Sequence, residues 1–106
     1  MKKIAEGAKE LLNEIDEMTE LFYQNKVQEG FLALNVFIEK LEKLLAEISS
    51  YQIESNRKVV DEEKLLSSVK EAFKAMQEQD SVLLADLFSY DIKEQLEQVL
   101  DSCECN

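Results

Sequence analysis

Between Val27 and Ile48 an apolar side chain falls at every third or fourth position: Val27, Phe31, Leu34, Ile38, Leu41, Leu45 and Ile48. This spacing keeps one stripe of an α-helix apolar, whereas a strand would alternate. Leu32, Val36, Phe37 and Leu44 widen the stripe beyond a two-position seam, so the helix needs partners on more than one side. It reads as the central helix of a bundle. At about 1.5 Å per residue it is roughly 33 Å long, enough to set the long dimension of a small domain. The chain has no proline, and Gly7 and Gly30 are its two glycines, so long uninterrupted helices are the default.

A second stripe precedes it: Ile4, Ala8, Leu11, Ile15, Met18 and Phe22, flanked by Leu12 and Leu21. It predicts a first helix over residues 3–23. The polar connection Gln24-Asn25-Lys26 is short enough to make the two helices antiparallel neighbours, with Asn25 the candidate left-handed residue. Gly30 lies one turn into the second helix, where glycine costs about 1 kcal/mol against alanine. Close approach of the first helix at that point is the expected compensation. Residues 49–58 are the most polar stretch and predict a loop, or a helix continuing to Ile53 and then a loop, with Tyr51 and Ile53 tucking back onto the core. Asp61 is the expected N-cap of a third helix bearing Leu65, Val69, Ala72 and Met76, with Leu66 and Phe73 alongside. After the turn Gln79-Asp80-Ser81, a fourth helix carries Leu84 or Ala85, Phe88, Ile92, Leu96 and Val99. Residues 1–101 thus predict one all-α domain, an antiparallel four-helix bundle built from two helical hairpins. Residues 102–106 are expected to form a disordered tail. Shifting the chain by 55 residues sets Phe37 on Ile92, Leu41 on Leu96 and Leu44 on Val99. A duplicated hairpin explains this, as do two unrelated hairpins obeying one packing rule.

The net charge is −11, spread over both halves. Phosphate backbones and anionic lipids would repel such a chain, so neither nucleic acid nor a membrane is an expected partner. The opening Met-Lys-Lys-Ile resembles the start of a secretory leader, but Glu6, Lys9 and Glu10 break the apolar run. A cytoplasmic location is therefore expected. Cys103 and Cys105, two residues apart, cannot staple a core, and one Cys-x-Cys pair is half of a usual zinc set.

Without histidine the chain has no ordinary general base and no Glu-x-x-His pair for a di-metal centre. It also has no glycine-rich phosphate loop and no nucleophile elbow. Its carboxylate pairs, such as Asp16-Glu17, fall on polar faces or at helix starts, where nothing perturbs them for catalysis. No enzyme, cofactor or metal is expected. Val82 to Phe88 contains one polar residue, Asp86, and so carries more apolar surface than one packing face uses. Tyr90 and Asp86, four apart, are expected to make a polar spot beside it. Two readings of this stretch stand together. In one it is the rim of the core. In the other it is a partner-docking patch of Leu83, Asp86, Leu87, Tyr90 and Asp91.

The segments Glu-Leu-Phe-Tyr-Gln-Asn-Lys-Val-Gln-Glu-Gly (20–30) and Ser-Val-Leu-Leu-Ala-Asp-Leu-Phe-Ser-Tyr-Asp-Ile (81–92) resemble a family of small uncharacterised helical proteins of Gram-positive bacteria. That family carries no established activity, so the resemblance implies little about function. The acidic helical plan is also similar to flagellar export chaperones, at the level of fold alone. The expectation is a non-enzymatic interaction protein, either a chaperone-like binder of a helical segment or a regulatory adaptor. The alternative is a self-associating structural module, a homodimer.

Overall fold

In the computed structural model, which describes residues 2–104, the chain folds into four helices. Helix α1 is Lys2–Tyr23, α2 is Val27–Ser55 and α3 is Glu62–Gln77. Helix α4 spans 81–104. It comprises an α-helical Ser81–Asp86, a π-helical Leu87–Ile92 and an α-helical Lys93–Glu104. Among the described residues there is no strand, and no helix is long and apolar enough to cross a membrane. The molecule measures 42 × 21 × 20 Å, its long dimension matching the length of α2.

Neighbouring helices run antiparallel. Lys3 pairs with Glu47 and Lys40 with Glu10 across α1 and α2, while Lys93 pairs with Asp16 across α4 and α1. The stripe of α1 is entirely in the core: Ile4, Ala8, Leu11, Ile15, Met18 and Phe22 are all buried. Helix α1, and not α2, is the central one. It packs along both α2 and α4, whereas α2 and α3 hardly approach each other. Only part of the broad apolar surface of α2 is therefore used. Leu34, Phe37, Leu41, Leu44 and Ile48 are buried, Phe31, Ile38 and Leu45 are half-buried against the core, and Leu32 and Val36 are exposed. The width of an apolar stripe shows how much surface wants burial, but not which neighbour arrives to bury it.

The turns obey local chemistry. Asn25 adopts the left-handed conformation (φ 63°), and the amides of Asn25 and Lys26 donate to the carbonyls of Phe22 and Leu21. This is a Schellman closure. The α3–α4 turn repeats it around Gln79 (φ 57°), with Gln79 and Asp80 donating to Met76 and Ala75. Asp61 caps α3 by accepting from the Lys64 amide, and Asp80 caps α4 through the Leu83 amide. The acidic row Glu6-Glu10-Glu14 is relieved across the seam, because the Lys40 ammonium donates to Glu10 at 2.7 Å and Glu14 at 3.2 Å.

Two boundaries differ from expectation. Helix α2 runs through the polar stretch to Ser55 and stops at left-handed Asn56 (φ 56°). Tyr51 is half-buried against the core, but Ile53 is exposed. Val59 and Val60 fill the core from the connection instead, their amides held by the Gln52 side-chain carbonyl at 2.7 and 3.1 Å. At the other end α4 continues to Glu104 across residues expected in a tail. There the Ser102 hydroxyl donates to the Val59 carbonyl, while Cys105 and Asn106 lie outside the described residues.

Candidate functional site

The six residues Leu87–Ile92 wind as a π-helix, marked by the Lys93 amide donating to the Phe88 carbonyl five residues back. A π turn takes more residues per turn than an α turn, so it rotates the rest of the helix about its axis. The five residues expected to form one docking patch all lie on α4 around this turn, but they face two ways. Leu83 and Leu87 line a groove of about 290 Å³ with Glu71, Lys74 and Ala75 of α3 and with Glu78 just after it. Asp91 faces α3 too and is tied into it. Asp86 and Tyr90 belong to a second face, beside α1.

On the α1 side, the expected Tyr90–Asp86 pair is replaced by a pair that sequence spacing does not show. The Tyr23 hydroxyl, from the end of α1, donates to Asp86 Oδ1 at 2.7 Å. Tyr90 is left 73% exposed. Val82, one turn before Asp86, is 62% exposed, and Tyr23 itself 54%. Asp86 thus has an exposed valine one turn before it, an exposed tyrosine one turn after it, and a third exposed side chain, Tyr23, hydrogen-bonded to it. The hydrogen bond to Asp86 holds the Tyr23 hydroxyl above its ordinary value of 10.0, with burial adding to the effect and the Ser89 hydroxyl opposing it. A raised folded value means that Tyr23 contributes stability fully below the unfolded value and loses it as pH rises through the folded one. In a tyrosinate absorbance titration Tyr23 should therefore ionise above the ordinary tyrosine value, and this late step should be missing from Tyr23→Phe. An identical curve for the variant would refute the assignment.

On the α3 side, Asp91 accepts from the Ser68 hydroxyl (2.8 Å) and from the Gln95 amide (3.1 Å), and Gln95 also donates to Ser68. Ser68 and Gln95 are buried, and among the described residues the Gln95 side-chain oxygen has no partner. Neither residue stands out in the sequence. A glutamine or serine inside a helix gives no sign of its direction, and the π turn carries Gln95 toward α3. Replacing Asp91 with alanine strips two buried groups of a charged acceptor and should cost about 1–3 kcal/mol of stability. Gln95→Leu should cost less, because it deletes the orphan carbonyl together with the donor. Urea denaturation of the two variants orders them, and the reverse order would contradict this assignment.

Elsewhere, hollows of about 320 and 490 Å³ lie along α1 and α2. Both are rimmed by Lys3, Lys43 and Glu47, and both open widely to solvent. Among the described residues no group of three or more Cys, Asp or Glu side chains is arranged to hold a metal. Cys103 is half-buried against the core.

Fold and site together define an all-helical, acidic four-helix protein whose last helix presents an aromatic and carboxylate face around a π turn. The chain belongs to the family of the domain of unknown function DUF8042, which matches residues 1–102. No curated protein and no solved structure matches it.

Proposed function

We propose that the chain is a non-enzymatic interaction module, chaperone-like or a regulatory adaptor, that holds a helical segment of a partner protein along the outer side of α4. One observation supports this above others: Val82, Leu83 and Tyr90 stay in water on a helix whose inner residues already complete the core. Apolar residues spaced along a helix beside a groove suit helix-in-groove recognition. The five residues of the expected patch keep distinct parts in this reading. Leu83, Leu87 and Tyr90 supply contact area, Asp86 a rim charge, and Asp91 holds α3 and α4 in register. A cytoplasmic location in a Gram-positive bacterium, with no nucleic acid, membrane, cofactor or metal involved, belongs to the same reading. It rests on the acidity and on the resemblance of residues 20–30 and 81–92.

The test compares the full chain with a Leu83→Glu/Tyr90→Glu variant as bait in native lysate. Proteins retained by the first and lost by the second support the module, and equal retention overturns it. The second reading, a homodimer, draws on exposed Leu32 and Val36, one turn apart on α2. Light scattering at micromolar concentration decides it, since a monomer rules it out.

A further inference from the structure

The chemistry of the face formed by Tyr23, Val82, Asp86 and Tyr90 selects among possible partners. We propose that it binds a cationic amphipathic helix, an arginine- or lysine-bearing segment whose apolar side meets Val82 and whose positive group sits between the tyrosine rings on Asp86. This deepens the interaction-module reading and rests on it.

Charge complementarity carries the choice. Asp86 accepts from Tyr23 on Oδ1, and among the described residues Oδ2 has no donor. The Tyr23 hydroxyl is spent on that bond, so what its half-exposed ring offers outward is a π surface. Tyr90 offers a second ring. A guanidinium or ammonium group is attracted both to tyrosine faces and to a carboxylate. Lys93, three residues beyond Tyr90, is engaged by Asp16 at 2.9 Å, so it does not satisfy Asp86 from within. Glu20, one turn before the end of α1, adds exposed negative charge. The chain as a whole carries −11, which steers cations toward it and opposes a second copy of itself at this face.

The experiment uses the full chain and two labelled synthetic peptides with one leucine pattern, the polar positions arginine in one and glutamate in the other. Anisotropy titration at physiological salt should show binding of the arginine peptide and none of the glutamate peptide. Asp86→Asn keeps an acceptor for Tyr23 but removes the charge, and Tyr90→Ala removes an exposed ring, so both variants should keep the fold. Each should weaken the arginine peptide about fivefold to tenfold. Glu39→Gln, the same charge change on α2 away from the face, should shift binding by less than about twofold. The proposal is overturned if Glu39→Gln weakens binding as much as Asp86→Asn, which would mark diffuse attraction only. It is also overturned if Tyr90→Ala has no effect. If Leu83→Glu/Tyr90→Glu abolishes retention of lysate proteins while Asp86→Asn leaves that retention intact, the module stands and the cationic occupant falls.

Discussion

Phe37→Ala should destabilise the protein by about 3–5 kcal/mol, the usual cost of removing a buried phenylalanine ring. Phe37 is fully buried on α2 and meets Phe88 of α4 edge to face, with centroids 5.2 Å apart and planes at 82°. The pair matters because α2 makes its main backbone approach to α1, and the rings link it directly to α4 across the core. Deleting one ring loses its transfer free energy, leaves a cavity that the surrounding helices close only in part, and abandons an aromatic contact worth about 0.5–1.5 kcal/mol in itself. A domain of this size has about 5–15 kcal/mol in total, so the variant approaches the limit of folding. Phe88→Ala should cost a similar amount. In a double-mutant cycle the second substitution should cost less than the first, because the shared contact is already gone. Urea denaturation followed by circular dichroism measures this. A loss under about 1 kcal/mol for Phe37→Ala would mean that the ring is not core.

Gly30→Ala should also destabilise, against the helix-propensity rule, under which the change gains about 1 kcal/mol. A methyl group added at Gly30 would lie 2.7–2.9 Å from three carbons of the Phe22 ring. That ring is buried and packed edge-on against Phe31, with centroids 5.3 Å apart, so shifting it disturbs a packed contact. Overpacking of this kind costs about 1–3 kcal/mol, which outweighs the propensity gain. Gly7 is the internal control. There the new methyl would meet Leu44 Cδ1 at 3.0 Å, the end of a flexible chain, and the next nearest atom is 3.9 Å away. Gly7→Ala should therefore be neutral or stabilising by up to about 1 kcal/mol. Opposite signs for the two glycines, read from midpoint shifts in urea, would confirm close approach at Gly30 alone. Equal signs would show that propensity decides both.

The two hairpins are alike in part. Each closes with the same turn, around Asn25 and Gln79, and Phe37, Leu41 and Leu44 are buried as are Ile92, Leu96 and Val99. Met18 is buried whereas Phe73, 55 residues on, is half-exposed, and among the described residues the π turn of α4 has no counterpart in α2.

The chain settles local matters by itself: that it forms four helices, where three of the four begin, and the turn at Asn25. Helical period, an Asp accepting from an amide three residues on, and a left-handed asparagine involve residues within about one turn of each other, so their signals stand in the sequence. The entire buried stripe of α1 is legible for that reason. The end of α2 is not, because Ser49–Ser55 is polar whether it is a loop or a helix beyond the main packing, and Asn56 rather than hydropathy stops it. Tertiary structure alone decided that α1 is central, that Val59 and Val60 plug the core, and that Gln95 is buried. It also turned Leu83, Leu87 and Asp91 toward α3 and left Asp86 and Tyr90 beside α1. Tyr23 and Asp86 are 63 residues apart, and their meeting depends on how α1 and α4 pack and on the rotation a π turn imparts. Periodicity gives the direction of a side chain about its own axis, whereas the neighbour it finds there is a property of the assembled fold.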